Sequence, residues 1–236
     1  SGDLSSPSEF ISIGYIYDSS FPYIKERAET FRKLKLNQGI KYIVCYLDES
    51  IQHDRKYGVH GIKDSEKKML SFVKFLSNNN DVALLIKSQF SRNLYSNLFP
   101  ESIELKKVID SGQLIEFESG KHRNNFFPAE VALSSDLVIG QSVGITASLE
   151  SYLCGTRTVM LSDNRNDELI SMLNNGHVVY NSLEDVFHAI NEFRDGRLEF
   201  FGDWEQSIDI NKYFDPFRDG KSSDRMFEFI SNALND

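Results

Sequence analysis

Short apolar runs alternate along this chain with longer amphipathic stretches. The runs that predict strands are ISIGYIYD (11–18), KYIVCYLD (41–48), DVALLIKS (81–88), QLIEFES (113–119), DLVIGQ (136–141), RTVMLS (157–162) and HVVYN (177–181). The intervening stretches place apolar residues at helical spacing. They predict helices over 22–39, 64–79, 100–112, 128–135, 146–155, 167–176, 183–196 and, last, 221–234.

Strands that alternate with helices predict a mainly parallel sheet covered by helices on both faces. DLVIG and TVMLS are continuously apolar, which is typical of strands buried on both faces. We therefore expect an α/β fold, a Rossmann-like three-layer α/β/α arrangement with about six or seven strands. Residues 10–236 are expected to form a single domain, and residues 1–9 a disordered or expression-derived start. The aromatic-rich segment 199–220 is expected to pack across an edge of the sheet.

The amino-acid composition and net charge argue against some classes of protein. The chain has 236 residues, is 40% hydrophobic and 26% charged, and carries a net charge of −9. An acidic balance argues against a nucleic-acid-binding protein, whose footprint would be a basic patch. The two cysteines, Cys45 and Cys154, have no neighbours at metal-ligand spacing, so we expect buried thiols in a reducing compartment. No apolar run has the length of a membrane span, and no signal peptide is recognisable.

Polar residues follow several predicted strands where an open parallel sheet binds ligands, at the carboxyl ends. Lys87 ends one strand, and Gly120, Lys121, His122 and Arg123 follow another. Three adjacent cation-capable residues stand out in an acidic chain. The alternative interpretation is a solvated strand end at Lys87 and an exposed basic loop at 121–123. Asp48 and Glu49 end a third strand, but an acidic pair there is more often a turn or a helix cap.

The stretch SVGITASLE (142–150) joins a predicted strand to a predicted helix. Unpaired backbone N–H groups and the positive dipole end make a helix start suitable for phosphate, and small residues let the phosphate approach. Glu150 shares a helix face with Thr146 and would suit ribose hydroxyls rather than phosphate. The alternative is that Ser142 or Thr146 only caps the helix and Glu150 is solvated. The turn matches neither G-x-G-x-x-G nor a Walker A loop.

The segment SSDLVIGQSVGITASLESYLCGTRTVML resembles the C-terminal, nucleotide-sugar-binding half of GT-B-fold glycosyltransferases. Thr158 stands where that family often has proline. Three further motifs are similar to bacterial surface-polysaccharide biosynthesis proteins, a group that includes Kdo-transferase-like enzymes. They are CYLDES, ESGKHRNNFFPAEVAL and DPFRDGKSSDRMFEFI. The GT-B resemblance spans roughly residues 80–180.

The resemblance implies the donor-binding half of a glycosyltransferase, because the chain has no room for two Rossmann domains. It implies that little or no activity resides in this half alone. The donor would be a CMP- or UDP-linked sugar, with CMP-Kdo preferred because a basic loop can meet both phosphate and sugar carboxylate. The residues expected to bind the donor are Lys87, Gly120, Lys121, His122, Arg123, Ser142, Val143, Gly144, Thr146, Ser148 and Glu150.

The resemblance also implies the remaining participants. A saccharide acceptor and the catalytic base would belong to an N-terminal domain or partner subunit, and no catalytic residue is assigned in this half. Neither a bound cofactor nor a metal is expected. The expected location is the cytoplasm, at the inner face of the bacterial membrane, through peripheral association of the full protein. Two rival functions remain: a sugar-nucleotide epimerase of the same fold, and a non-catalytic module that binds a nucleotide or a partner.

Overall fold

The computed structural model describes residues 10–48, 62–88, 94–117, 128–142, 145–162, 168–173 and 177–235. These residues fall into two compact units. One unit is Ile24–Ile208, and the other combines Ser1–Tyr23 with Asp209–Asp236. The prediction of a single domain from residue 10 to 236 stays a prediction.

The larger unit contains a sheet of six strands, all parallel. The strands are β1 (Tyr42–Asp48), β2 (Val82–Ser88), β3 (Leu114–Phe117), β4 (Leu137–Gln141), β5 (Arg157–Leu161) and β6 (Val179–Tyr180). Their order in space is β3-β2-β1-β4-β5-β6. The chain therefore builds outward from β1 in one direction and from β4 in the other, which is the doubly wound arrangement. This confirms the Rossmann-like α/β prediction.

Helices follow the strands closely. They are α1 (Phe21–Asn37), α2 (Ile62–Ser77), α3 (Leu94–Leu98), α4 (Ile103–Asp110), α5 (Pro128–Leu133), α6 (Ile145–Leu153), α7 (Glu168–Leu173), α8 (Leu183–Arg194), α9 (Ile210–Tyr213) and α10 (Ser222–Asn235). Side-chain caps define several helix starts, because they satisfy N–H groups that the helix leaves unpaired. Ser102 accepts from the Leu105 N–H of α4, and Ser182 accepts from the Asp185 N–H of α8. Within the described segments, no helix has the length and apolarity of a membrane span.

Alternate residues of β1 face two separate apolar cores. Val44 and Tyr46 join a cluster with side chains of α2, α4 and α8, whereas Ile43 and Cys45 join one with α5 side chains. The period of two along a strand produces this division, and it places a helical layer on each face of the sheet. Both cores are fully buried at β1, since all four of these residues are 0% exposed.

The prediction of a strand over residues 11–18 is wrong. Residues 10–15 have no regular structure, and a short 3₁₀ helix covers Asp18–Ser20. Gly14 has φ +86°, and an added Cβ would lie 2.8 Å from Asp215 Oδ1. A residue with a left-handed backbone conformation in the middle of the run interrupts an extended strand. Glycine adopts this conformation more readily than other residues. Ile11, Ile16 and Tyr17 of this run are exposed, so its apolar alternation does not correspond to a buried strand.

The first part of the segment 199–220 packs on the sheet, as expected, whereas residues from 209 onward belong to the smaller unit. Because β6 pairs only with Met160 and Leu161, the first half of β5 lies at a sheet edge. There the Thr158 N–H donates to the Gly202 carbonyl at 3.1 Å, and Trp204 Nε1 donates to the Thr158 carbonyl at 2.8 Å. Trp204 is fully buried and stacks on Tyr152, with 5.2 Å between ring centroids.

Candidate functional site

The sheet order changes direction between β1 and β4, and the carboxyl ends of these two strands define the candidate site. Both neighbours of β1, which are β2 and β4, run parallel to it. In open α/β sheets the crevice at such a switch point is the usual ligand position. Asp48 ends β1 and Gln141 ends β4, so polar side chains stand on both sides of the crevice.

A buried acid and a buried amine meet at this point. Lys68 of α2 places Nζ 3.8 Å from Asp48 Oδ1, and the two side chains are 11% and 2% exposed. Burial raises the pKa of Asp48, an effect that Lys68 opposes. Burial likewise lowers the pKa of Lys68, and Asp48 and Asp64 oppose that shift. Desolvation is the largest cause for both groups, as expected for charges removed from water.

Two tyrosines enclose the Asp48–Lys68 pair. Gln141 Nε2 donates to the Tyr46 hydroxyl at 2.9 Å, and Lys68 Nζ lies 5.7 Å from the centroid of the Tyr46 ring. Tyr95 of α3 is fully buried, and burial together with Asp48 raises its pKa well above the ordinary value. The resulting cluster is a polar site within an apolar layer, where electrostatic interactions are strong and unpaired groups are costly.

A cavity of about 550 Å³ opens beside this cluster. Its walls come from α2, from the carboxyl ends of β4 and β5, and from the start of α8. The charged and polar lining residues are Asp64, Lys67, Lys68, Ser71, Lys74, Gln141, Ser142, Ser162, Asn181, Ser182 and Glu184. Three lysines make the α2 wall of the cavity cationic. The volume of the cavity is typical of a small-molecule site.

Helical spacing puts the lysines on that wall. Ser71 and Lys74 follow Lys67 by four and seven residues, so the three side chains share one face of α2. Across the cavity, Glu184 of α8 accepts a 2.6 Å hydrogen bond from the Ser71 hydroxyl. This bond joins α8 to α2 at the cavity wall, which Lys67, Lys68 and Lys74 of α2 also line.

The predicted binding residues of the β4–α6 turn take three different positions. Ser142 lines the cavity, and Thr146 is exposed at the start of α6. Ser148 is fully buried, and a Cβ added at Gly140 would collide with its hydroxyl oxygen. Among the described residues its hydroxyl has no hydrogen-bond partner. Ser142 is therefore the described residue of this turn that faces the cavity.

Glu150 makes a defined contact within the larger unit. Its Oε1 accepts a 2.9 Å hydrogen bond from the Ala129 N–H in the first turn of α5. A carboxylate at a helix start interacts favourably with unpaired N–H groups and with the helix dipole. Its predicted contact with sugar or ribose hydroxyls stays a prediction.

Lys87 lies on β2, one strand away from the switch point. It is partly buried, its Nζ donates to the Ser88 carbonyl at 3.0 Å, and burial lowers its pKa. The other predicted donor residues, Gly120, Lys121, His122, Arg123, Val143 and Gly144, lie outside the described residues.

Sequence reasoning missed the lysine face of α2. A lysine on an amphipathic helix ordinarily has a solvated head group, and the spacing of Lys67, Ser71 and Lys74 is compatible with an exposed face. The one available signal was Asp48, a carboxylate at the end of an otherwise apolar run that needs a partner if buried. Only the packing of α2 against β1 identifies Lys68 as that partner.

Several solved structures have a fold similar to that of this chain. The structure of the wall teichoic acid polymerase TagF matches 95% of this chain with a TM-score of 0.58 and 14% identity. A histidine-to-alanine variant of TagF matches with a TM-score of 0.57 and 13% identity. The C-terminal domain of a group 1 glycosyltransferase (LpcC) from Francisella tularensis matches 77% of the chain, with a TM-score of 0.49 and 14% identity.

This chain spans about half the length of TagF, since the match covers 52% of the polymerase. No protein-family model matches the chain, and neither does any curated protein. At 14% identity the likeness to TagF concerns the fold. The chain thus shares its fold with about half of TagF.

Proposed function

We propose that this chain is the donor-binding half of a glycosyltransferase that uses a nucleotide-activated donor to build a bacterial surface polymer. The observation that carries this proposal is the lysine-lined cavity beside the β1–β4 switch point, between α2 and the carboxyl ends of β4 and β5. A nucleotide-linked donor carries one or two phosphates, and lysines beside a crevice are suited to bind them. TagF is a wall teichoic acid polymerase, and its fold likeness to this chain supports the same class of product.

The chemistry proposed is group transfer. A hydroxyl oxygen of the acceptor forms a bond to the transferred sugar while the bond between that sugar and the donor phosphate breaks. The electron pair of the broken bond stays on the phosphate, and the nucleotide leaves with it. The hydroxyl proton passes to a base that we expect on the acceptor-binding half. Cations of this half would stabilise the departing phosphate, because charge develops there in the transition state.

For the donor we propose a CMP- or UDP-linked sugar, with CMP-Kdo preferred. The reason is chemical: an acidic sugar adds a carboxylate to the phosphate, and the basic residues Lys121, His122 and Arg123 suit both anions. The partners proposed are a saccharide acceptor and an acceptor-binding domain or subunit, and the full protein would act at the inner membrane face.

Calorimetric titration of this chain with CMP, UDP, GDP and ADP tests the proposal. We expect one nucleotide to bind selectively, and the His122→Ala and Ser142→Ala variants to bind it more weakly. Absence of binding by all four nucleotides would contradict the proposal. Release of free UDP and sugar from a UDP-sugar without any acceptor would favour the epimerase function instead.

A further inference from the structure

The ammonium of Lys68 has an unusual resting environment. Its Nζ is buried, and among the residues that the structure describes it has no hydrogen-bond partner. Asp48 Oδ1 lies 3.8 Å away, which is longer than an ordinary hydrogen bond, and Asp64 is a second acid that acts on the ammonium. Asp48 Oδ2 is also buried without a partner among those residues. The other contact of the Asp48 carboxylate is a hydrogen bond from the Gln141 side chain. A buried ion pair at a separation of 3.8 Å gains little against its desolvation cost.

We propose that Lys68 is the principal phosphate-binding residue of the cavity, and that it exchanges Asp48 for a phosphate oxygen of the ligand. The inference rests on the proposed function and assigns a residue that the sequence resemblance did not include. A phosphate oxygen would supply the hydrogen-bond acceptor that Nζ lacks. Charge-assisted hydrogen bonds of this kind are the strong ones.

The position of Lys68 permits this exchange. Lys68 is one of the residues that line the cavity, and its Nζ lies 3.8 Å from Asp48 Oδ1 at the end of β1. Rotation about the side-chain bonds of lysine would carry the ammonium from Asp48 to the cavity. Lys67 and Lys74 lie on the same wall and are exposed. Their positive charges would attract the phosphate at longer range.

Two acidic residues also line the cavity, and they limit where a phosphate fits. Glu184 accepts the Ser71 hydroxyl at 2.6 Å, and Asp64 lies at the opening turn of α2, one helical turn before Lys68. The favourable position for an anion is therefore on the β4 side of α2, near Gln141 and Ser142. Amide and hydroxyl groups there can donate hydrogen bonds to phosphate oxygens.

Asp48 is a positioning residue under this inference. Its carboxylate competes with the ligand phosphate for Lys68 and also repels it. Replacement of Asp48 by asparagine should therefore strengthen anion binding, whereas replacement of Lys68 by methionine should weaken it. Effects of opposite sign at two contacting residues would not arise if both only supported the fold.

The test is calorimetric titration of the wild type, Lys68→Met and Asp48→Asn with CMP, UDP and inorganic pyrophosphate. We expect Lys68→Met to raise the dissociation constant at least tenfold, roughly the size of a lost charged hydrogen bond. Asp48→Asn should lower the constant about threefold or more, since it removes a nearby like charge. Lys106→Met on α4 is the matched control, because Lys106 is exposed and does not line the cavity, and it should stay within twofold.

The outcomes separate the two proposals. Nucleotide binding that is unchanged by Lys68→Met would overturn the role of Lys68 and leave the proposed function standing. Lys68-dependent binding of pyrophosphate without binding of any nucleotide would support the phosphate site and contradict the proposed donor class. No binding of any probe by the wild type would overturn both.

A second test observes Lys68 in the wild-type chain and adds a variant that retains the charge. The ¹³Cε resonance of Lys68 in the wild-type chain should shift on titration with pyrophosphate, and Lys68→Arg, which retains the charge, should bind within about fivefold of the wild type. A Lys68 resonance that does not move at saturating pyrophosphate would overturn the inference.

Discussion

At the scale of single residues, the junction of β4 and α6 depends on a close approach. Gly140 on β4 faces Ser148 on α6, and any Cβ at position 140 would collide with the Ser148 hydroxyl oxygen. Within the SVGITASLE stretch, Ser148 therefore needs to be small to pack against Gly140, whatever the turn binds. This explains the identity of Gly140 and Ser148, while Ser142 and Thr146 remain available for a ligand.

We predict that Gly140→Ala lowers the free energy of unfolding by about 1–3 kcal/mol, the usual cost of overpacking a core. The same change in a Ser148→Ala background should cost clearly less, because the hydroxyl that collides is absent. Urea unfolding of the four proteins in this double-mutant cycle measures the coupling. Equal costs of Gly140→Ala in both backgrounds would contradict the collision with the Ser148 hydroxyl as the cause of the destabilisation.

Glu150 has a structural contact that its pattern did not reveal. The hydrogen bond from the Ala129 N–H gives the carboxylate a role in the start of α5. We predict that Glu150→Ala lowers the free energy of unfolding by about 1.5 kcal/mol, the usual contribution of a charged hydrogen bond. Glu150→Gln keeps an acceptor oxygen and should lose less than half of that amount.

Urea unfolding distinguishes these variants, and calorimetry with nucleotide separately tests the predicted contact with ribose. A Glu150→Ala protein with the stability of the wild type would contradict the capping role.

At the scale of elements, the short helix α3 owes its position to a strand. Glu116 on β3 accepts the Tyr95 N–H at 2.6 Å and the Ser96 N–H at 3.1 Å, and it also accepts the Ser96 hydroxyl. A helix of five residues is too short to be stable alone. The carboxylate therefore holds the helix start, and with it Tyr95 beside Asp48.

We predict that Glu116→Ala accelerates amide hydrogen exchange at Tyr95 and Ser96 at least tenfold relative to the wild type. Without the carboxylate, the start of α3 can open without the cost of breaking these hydrogen bonds. Exchange in α4 should change little. Glu101→Ala, an exposed acidic position, is the control. Unchanged exchange at Tyr95 and Ser96 in the Glu116 variant would show that packing alone holds α3.

The elements also show what the sequence can and cannot predict. Long periodic stretches such as α2 and α8, and apolar strands such as β1, lie within a few residues of the predicted bounds. Residues 11–18 have the alternation of a strand but not its structure, because Gly14 takes a left-handed conformation. Helix α3 was not predicted, since LYSNL is short and depends on the distant Glu116.

The same limit applies to the candidate site. Residues at the carboxyl ends of strands could be identified from the sequence, and Ser142 does line the cavity. Lys68 could not, because a lysine in an amphipathic helix carries no local sign of burial. Its pairing with Asp48 depends on how α2 packs on β1, which is a tertiary property.

At the scale of the whole molecule, sheet order relates the site to the fold. The order β3-β2-β1-β4-β5-β6 places the ends of β1 and β4 side by side, so Asp48 and Gln141 meet although they are distant in sequence. The same fold occurs in TagF, which is about twice the length of this chain. This agrees with the proposal that a second half supplies the acceptor and the base.

The central claim is that the ligand binds at the carboxyl edge beside α2. Hydrogen–deuterium exchange of the chain, with and without saturating CMP or UDP, tests that claim most directly. The claim predicts slower exchange in α2 and at the β4–α6 junction. The larger unit has a second cavity, whose lining includes His177, His188 and Arg197, and there the claim predicts no change. Slower exchange confined to that second cavity, or no change on nucleotide addition, would contradict the claim.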